Sequence, residues 1–371
     1  MKNPSRRLRK YRIAQKLIVT CLCCVVVHIS ATAQQLRVVV AGLNHDHIHN
    51  VLHAFKEGRV NIIGIAEPNK QLWLKFGKQY HLPDSLFYTD LKKLVSLKKP
   101  DAVLGYNEVA GHLKIVQICA PLHIPVMVEK PLAATLSQAL EIEKLANQYH
   151  IKVLTNFETT WYASYNNVYH TVNKDSIGSI KKIVFHDGHQ GPKEIGCSAE
   201  FLSWLTDPVL NGAGAINDFG CYGADLMTWF MKGRKPIAVT AVARHYKTNV
   251  YPKVEDDATI IVEYPGTTGI IEASWNWPFS IKDMEVFGKM GYLHALDGTN
   301  INSRMRENIK SSKTATPLPA DISDPIAYLS AVLNNKLPGT DDLSSLKYNM
   351  IVMRILDAAK RSAATGKRIL L

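Results

Sequence analysis

Lys130 stands between Glu129 and Pro131, directly after the apolar run Pro125-Val126-Met127-Val128. A lysine fixed by a following proline at the carboxyl end of a strand is poised over whatever lies in the cleft there. Its ammonium can hold a hydroxyl or carbonyl oxygen, or exchange a proton with it. A second cluster reads Gly212-Ala213-Gly214-Ala215-Ile216-Asn217-Asp218-Phe219-Gly220-Cys221-Tyr222-Gly223-Ala224-Asp225. Asp218, Tyr222 and Asp225 are spaced i, i+4, i+7, which on a helix turns all three the same way. Gly220 and Gly223 are costly inside a helix and imply close approach by a cofactor or another backbone. A phenol at position 222 beside the Lys130 ammonium is expected to be acidified and to act as proton acceptor.

Other polar and aromatic residues suit a sugar, which offers hydroxyls to bond and an apolar face to stack. Trp275 and Trp277 alternate along one expected strand and so share a face. His186-Asp187-Gly188-His189-Gln190 leaves another strand, and Asn156, Glu158 and Trp161 leave the last strand of the first half. Near the start, Gly42-Leu43-Asn44-His45-Asp46-His47 keeps one glycine of the Gly-x-Gly-x-x-Gly dinucleotide pattern. Asn44 tolerates a left-handed turn, and His47 in the third position implies looser packing of strand on helix. Glu67 ends the second strand, where a carboxylate accepts both ribose hydroxyls and repels a 2′-phosphate, favouring NAD over NADP. His45, His47, His49 and His53 alternate or lie four apart. No nearby Cys or carboxylate pair completes a site, so no metal is expected.

The elements that must position these groups follow from apolar periodicity. Near-continuous apolar runs at 37–41, 61–66, 101–104, 125–128 and 151–154 alternate with helical periods such as 47–56 and 136–149. That rhythm predicts a doubly wound α/β domain with a parallel sheet covered on both faces. Ligands bind such sheets at the carboxyl ends of the strands. After Phe157 strands dominate, at 180–186, 238–246, 259–264, 269–277 and 284–287, with turns at Tyr264-Pro265-Gly266 and Lys289-Met290-Gly291. They predict an α+β second domain with a mostly antiparallel sheet. Ile351, Val352, Ile355, Leu356 and Ala359 form an apolar helical stripe near the carboxyl end.

Glu129-Lys130-Pro131 after such a sheet, with the glycine-rich turn and Asp218-x-Gly220-x-Tyr222-x-x-Asp225, resembles the glucose–fructose oxidoreductase / inositol dehydrogenase (Gfo/Idh/MocA) family. The likeness runs over about residues 36–371. Many members carry His where this chain has Tyr222. The glucose–fructose oxidoreductase and dihydrodiol dehydrogenase branch carries tyrosine, which places this chain nearer that branch. The resemblance implies an open-faced second sheet that pairs between subunits, giving a dimer or tetramer, and a last helix that packs back on the first domain. It also implies NAD held by Gly42, Leu43, Asn44, His45, Glu67, Asn107, Glu129 and Lys130. Lys130, Tyr222 and Asp218 are then catalytic, and His186, His189, Trp161, Asp225 and Trp275 meet the substrate.

The expected activity is hydride transfer between a carbohydrate hydroxyl and NAD. One alternative is a glycoside hydrolase that uses NAD without net redox change, and another is a non-catalytic sugar-binding relative. The domains are expected at 1–33, 34–156, 157–340 and 341–371, the first being a cleaved export signal and the last the returning helix. Residues 1–33 hold seven of the 44 Lys and Arg and no acid. An apolar run at 17–29 follows, then Ala31-Thr32-Ala33, where a signal peptidase cuts. Thirteen residues are too few to cross a hydrocarbon core, so no anchor is expected to remain after cleavage. Ser5-Arg6-Arg7 partly matches the twin-arginine export motif. Thr20 is a poor residue before a lipidated Cys21, so lipidation is not expected. The mature chain is therefore expected in the periplasm, with NAD tightly held and loaded before folded export.

Without the seven amino-terminal cations the formal charge of +12 falls to +5. That gives no electrostatic case for a nucleic-acid partner. Cys119, Cys197 and Cys221 alone follow the signal, and they imply no disulfide framework.

Overall fold

The computed structural model describes residues 35–307 and 309–371. The expected signal sequence lies outside these residues. Six strands form the first sheet: β1 (Arg37–Ala41), β2 (Asn61–Ala66), β3 (Phe87–Tyr88), β4 (Ala102–Gly105), β5 (Val126–Glu129) and β6 (Val153–Asn156). All are parallel, in the order β3-β2-β1-β4-β5-β6. Between them run α1 (Ile48–Lys56), α2 (Lys70–Tyr80), α3 (Leu91–Lys98), α4 (His112–Cys119) and α5 (Leu136–Tyr149).

Alternation along β1 shows why the strands are apolar throughout. Val38 and Val40 enter one core with α1 and α2, while Val39 and Ala41 enter another with α3, α4 and α5. A strand buried on both faces has no polar side to display. Caps stop the helices where the sequence offers them. Asn69 accepts from the Gln71 amide, Asp90 from that of Lys93, and Thr135 from that of Gln138. β3 escapes the sequence reading because two residues are too few to show a period.

The second sheet holds nine strands: β7 (Ile180–Gly188), β8 (Ala238–Arg244), β9 (Asp257–Tyr264), β10 (Thr267–Ser274), β11 (Ile281–Gly288), β12 (Tyr292–Ala295), β13 (Asn300–Arg306), β14 (Ile309–Thr314) and β15 (Ile369–Leu370). Their order is β14-β13-β12-β11-β7-β10-β9-β8-β15, antiparallel except for the central pair β7 and β10. The sequence reading stops at β11. β14 at the edge and β13 beside it are polar, with no apolar alternation to reveal them, and β15 has only two residues.

The helices of this half are α6 (Ala163–Asn173), α7 (Ala199–Leu205), α8 (Ala215–Asp218), α9 (Gly220–Phe230), α10 (Pro325–Leu333) and α11 (Leu346–Thr365). α6, α9 and α11 cover one face of the nine-stranded sheet. The opposite face stays open, leaving Val242, Ile261 and Phe287 at 50%, 36% and 37% exposure. α10 packs into the core of α1 and α2 through Ile326, Leu329 and Val332. α11 lies against α5 and β6 of the first sheet and against β8 and α9 of the second. Its stripe at 351, 352, 355, 356 and 359 is buried. Among the described residues no helix is long and apolar enough to cross a membrane. Cys119, Cys197 and Cys221 are free thiols, the first and last buried.

Candidate active site

β5 delivers Glu129 and Lys130 to the end of the first sheet, and Pro131 follows in cis. Lys130 is 5% exposed, and its Nζ donates to Asp218 Oδ1 at 2.6 Å and to the Asp218 carbonyl at 2.9 Å. Burial on its own would lower the lysine pKa. The Asp218 carboxylate outweighs it, and the net shift is upward. For Asp218 burial pushes upward, Lys130 pulls downward, and the carboxyl ends below its ordinary value. The Asp218 Oδ2 accepts from the Trp275 indole at 3.0 Å. Both partners are thereby held as ions.

Tyr222 lies beside this pair, its ring 4.9 Å from the Lys130 Nζ and 4.5 Å from the Lys282 Nζ. Acidification of the phenol is the first expectation to be corrected. Burial, with the charges of Glu158 and Asp187, raises its pKa well above that of a free tyrosine. Lys282 is the residue sequence reasoning missed. It sits on β11, and its Nζ donates to Glu158 Oε2 at 2.7 Å and lies 3.6 Å from Asp187 Oδ2. Its only signal is the register that sets Lys282 opposite Asp187, invisible without the sheet.

The same alternation corrects His186. Asp187 and Phe185 face the helices, so His186 faces the open side. There it is bonded to Asp283 at 2.6 Å, and Asp283 also meets His294 at 2.9 Å. His189, two residues past Asp187, returns to the site. Its ring meets Phe219 edge-on at 4.9 Å, and its Nδ1 accepts from the Gly191 amide. Burial lowers its pKa.

Trp275 is also corrected. β10 ends at Ser274, and the indole is fully buried against Tyr251, bracing Asp218 instead of presenting a stacking face. Asp225 does not join Asp218 and Tyr222. The helical run breaks at Phe219, so Asp218 belongs to α8 and the i, i+4, i+7 face is not continuous. Asp225 is fully buried with both carboxylate oxygens unpartnered, and burial raises its pKa well above the ordinary value. Burial thus favours its neutral form. The two helix glycines likewise admit sheet side chains, not a cofactor. A Cβ at Gly223 would lie 2.8 Å from Ile271, and one at Gly220 would lie 3.1 Å from Ile260.

A cavity of about 260 Å³ at the ends of β1, β2 and β4 is lined by Gly42, Asn44, Glu67, Asn107 and Glu108. Gly42 has φ +90°, and a Cβ there would meet the Asn107 Cβ at 2.6 Å. The turn belongs to Gly42 alone, because Asn44 is not left-handed. Glu67 Oε2 accepts from the Leu43 amide at 2.9 Å and Oε1 from the Asn69 amide at 2.8 Å. The Oδ1 atoms of Asn44 and Asn107 are buried without a partner. A carboxylate, two idle amide oxygens and a side-chain-free turn fit the ribose and phosphates of a dinucleotide.

His45 is corrected too. It is buried among Phe201, Trp204 and Tyr106, away from this cavity, with its pKa lowered well below the ordinary value by burial. Its Nδ1 accepts from the His47 amide. The His47 Nδ1–H donates to Glu129 Oε2 at 2.9 Å, and Glu129 Oε1 accepts from Asn156. His45, His47 and Glu129 bring their potential ligand atoms within 4.8 Å of one another, a grouping whose carboxylate comes from a distant strand. The His45 Nδ1, the His47 Nδ1 and the Glu129 Oε2 are engaged in the bonds just given, while the His45 Nε2 is buried without a partner. Trp161 donates to Asn156 Oδ1 and lines a second cavity, of about 510 Å³, with His47, Tyr106, Asn156 and Glu158.

A doubly wound sheet with a cavity at its strand ends that fits a dinucleotide, next to a buried Lys–Asp pair and a phenol, defines a two-domain nucleotide-binding architecture. Residues 36–157 match the oxidoreductase-family NAD-binding Rossmann fold of GFO/IDH/MocA proteins, and residues 165–294 match the GFO/IDH/MocA C-terminal domain. The chain belongs to that family. It is 27% identical over 215 residues to a trans-1,2-dihydrobenzene-1,2-diol dehydrogenase of Xenopus laevis, covering 57% of this chain and 60% of that one. With the Bos taurus enzyme of the same name it shares 21% over 231 residues, 62% of this chain and 64% of that one. The chain thus spans about three-fifths of the length of the curated relatives it matches.

In fold it is similar to an inositol dehydrogenase homolog of Azotobacter vinelandii complexed with NAD+. That match has a TM-score of 0.79 and 16% identity, over 91% of this chain and 98% of that one. It is also similar to aldose-aldose oxidoreductase of Caulobacter crescentus, with a TM-score of 0.77 and 18% identity, over 91% and 100%.

Proposed function

We propose that this protein is an exported oxidoreductase that transfers hydride between a carbohydrate hydroxyl and a tightly held NAD. The observation that carries the reading is the Lys130 ammonium, buried and pinned to Asp218 at the strand end beside Tyr222. Glu67 is suited to the ribose hydroxyls, Gly42 to the phosphates, and Asn44 and Asn107 to the remaining donors of the dinucleotide. Bound NAD supplies a hydride acceptor. Lys130 then holds the substrate oxygen, Asp218 keeps the lysine charged and aimed, and Trp275 holds Asp218. The relatives named for diols, inositol and aldoses support a polyhydroxylated substrate. Export rests on the cationic and apolar pattern of residues 1–33, and retention of NAD suits a compartment outside the cytoplasm.

The test is to produce residues 34–371 in the cytoplasm, denature the protein, and identify the released small molecules by mass spectrometry. Released NAD is the expected result. D-Glucose, D-xylose, myo-inositol and their methyl derivatives are then offered, and NADH and products are quantified. Accumulating NADH or a reduced co-substrate supports the oxidoreductase. Cleaved glycoside with no net redox change supports the hydrolase, and an empty protein with no melting shift on added NAD overturns both. The open face of the nine-stranded sheet supports self-association, and sedimentation equilibrium is expected to give a dimer or tetramer. A monomer at micromolar concentration would overturn that part.

A further inference from the structure

Three carboxylates stand around the Tyr222 ring, and two have their oxygens occupied. Asp218 serves Lys130 and Trp275, while Glu158 serves Tyr162 and Lys282. Asp187, at the end of β7 and 2% exposed, is the exception. Its Oδ2 is buried with no hydrogen-bond partner, 3.6 Å from the Lys282 Nζ. A buried acceptor without a donor is costly unless something arrives to donate to it. A substrate hydroxyl held by Lys130 is such a donor. We propose that Asp187, not Tyr222, accepts the proton of the hydroxyl that is oxidised.

The inference rests on the oxidoreductase reading above. In the step the O–H bond breaks and its proton passes to the Asp187 carboxylate. The electron pair of the adjacent C–H bond leaves as hydride to the nicotinamide cofactor, and a C=O bond forms. Burial raises the Asp187 pKa to about 7, against the pull of Lys282 and Lys130. The groups facing it are Lys282 on β11, Lys130 after β5, Asp218 on α8, Glu158 after β6, Cys221 and Tyr222 on α9, and Tyr162 and Tyr165 at α6. A base poised near the working pH is the efficient one. The Tyr222 phenol, pushed upward, stays protonated and is left to donate to the substrate oxygen. Lys282 is a positioning residue, holding the ionised form of Asp187 in place.

The experiment compares wild type, Asp187→Asn, Asp187→Glu and Tyr222→Phe in the mature chain, with NAD binding measured by calorimetry. Asp187→Asn is expected to bind NAD unchanged and to lower kcat by about 10²–10⁴-fold on the fastest panel sugar. It should also abolish the pH–rate limb near 7, which Asp187→Glu restores and Tyr222→Phe keeps.

An independent readout needs no turnover. A carboxyl raised in the folded state contributes stability below its unfolded pKa, and that stability is lost as pH rises through the folded value. Relative to Asp187→Asn, wild type should therefore lose Tm as pH rises through about 7. A limb that survives Asp187→Asn and disappears in Tyr222→Phe would overturn the proposal. A wild type whose Tm, relative to Asp187→Asn, instead falls as pH drops below 5 would do the same. If wild type binds NAD yet oxidises no sugar, the oxidoreductase reading fails, while the Tm titration still decides whether Asp187 is poised.

Discussion

Lys130→Met is expected to lower kcat by about 10²–10⁴-fold and to destabilise the fold at the same time. The two losses have separate causes. Catalysis loses the group that holds the substrate oxygen. The fold loses the counter-ion of a 5% exposed Asp218, and breaking a buried pair from one side costs about 3–5 kcal/mol. The double variant Lys130→Met with Asp218→Asn separates them. The amide introduced by Asp218→Asn carries no charge and still offers an oxygen to the Trp275 indole, which in the wild type donates to Asp218 Oδ2. Thermal melting is expected to recover most of the loss, while turnover stays as low as in Lys130→Met. Recovered turnover would remove Lys130 from the chemistry.

The pH window of the pair follows from its two shifts. Asp218 is depressed, so its share of stability holds at neutral pH and is lost as pH falls through its lowered pKa. Lys130 is raised, so its share is lost only as pH rises through a value above that of a free lysine.

Glu67→Ala is expected to weaken NAD binding about 100-fold by calorimetry. A hydrogen bond to a charged group contributes about 1.5–3 kcal/mol, and about 1.4 kcal/mol is a factor of ten. The substitution also strips acceptors from the Leu43 and Asn69 amides, at about 1–3 kcal/mol for a buried amide left unpaired. Discrimination against NADP should narrow, because the carboxylate that repels the 2′-phosphate is gone. If wild type binds NADP as tightly as NAD, the carboxylate does not face the ribose.

Much of this molecule was legible before folding was considered. β1, β2 and the start of β7 follow from β-branched runs, and α5 from its apolar stripe, because both periods are local. Lys130, Asp218 and Tyr222 were found from short motifs that a turn or a strand end makes meaningful. Glu67 was found from its place at the end of the second run. The outer strands β13 and β14 were not legible, since they carry no apolar alternation. Lys282 stood in a strand like any other lysine until register set it across from Asp187.

By itself the sequence determined the two sheets and the identity of the Lys–Asp–Tyr group, since each depends on neighbours a few residues away. The tertiary structure decided which way the side chains point and how they ionise. His186 faces the open side because its strand neighbours Phe185 and Asp187 are taken by the helices, and Trp275 is buried because the chain leaving β10 packs it against Tyr251 and bonds it to Asp218. The Asp225 carboxyl and the Tyr222 phenol are both pushed toward their neutral forms because burial penalises charge. Burial, like register, is set by residues far away in the chain.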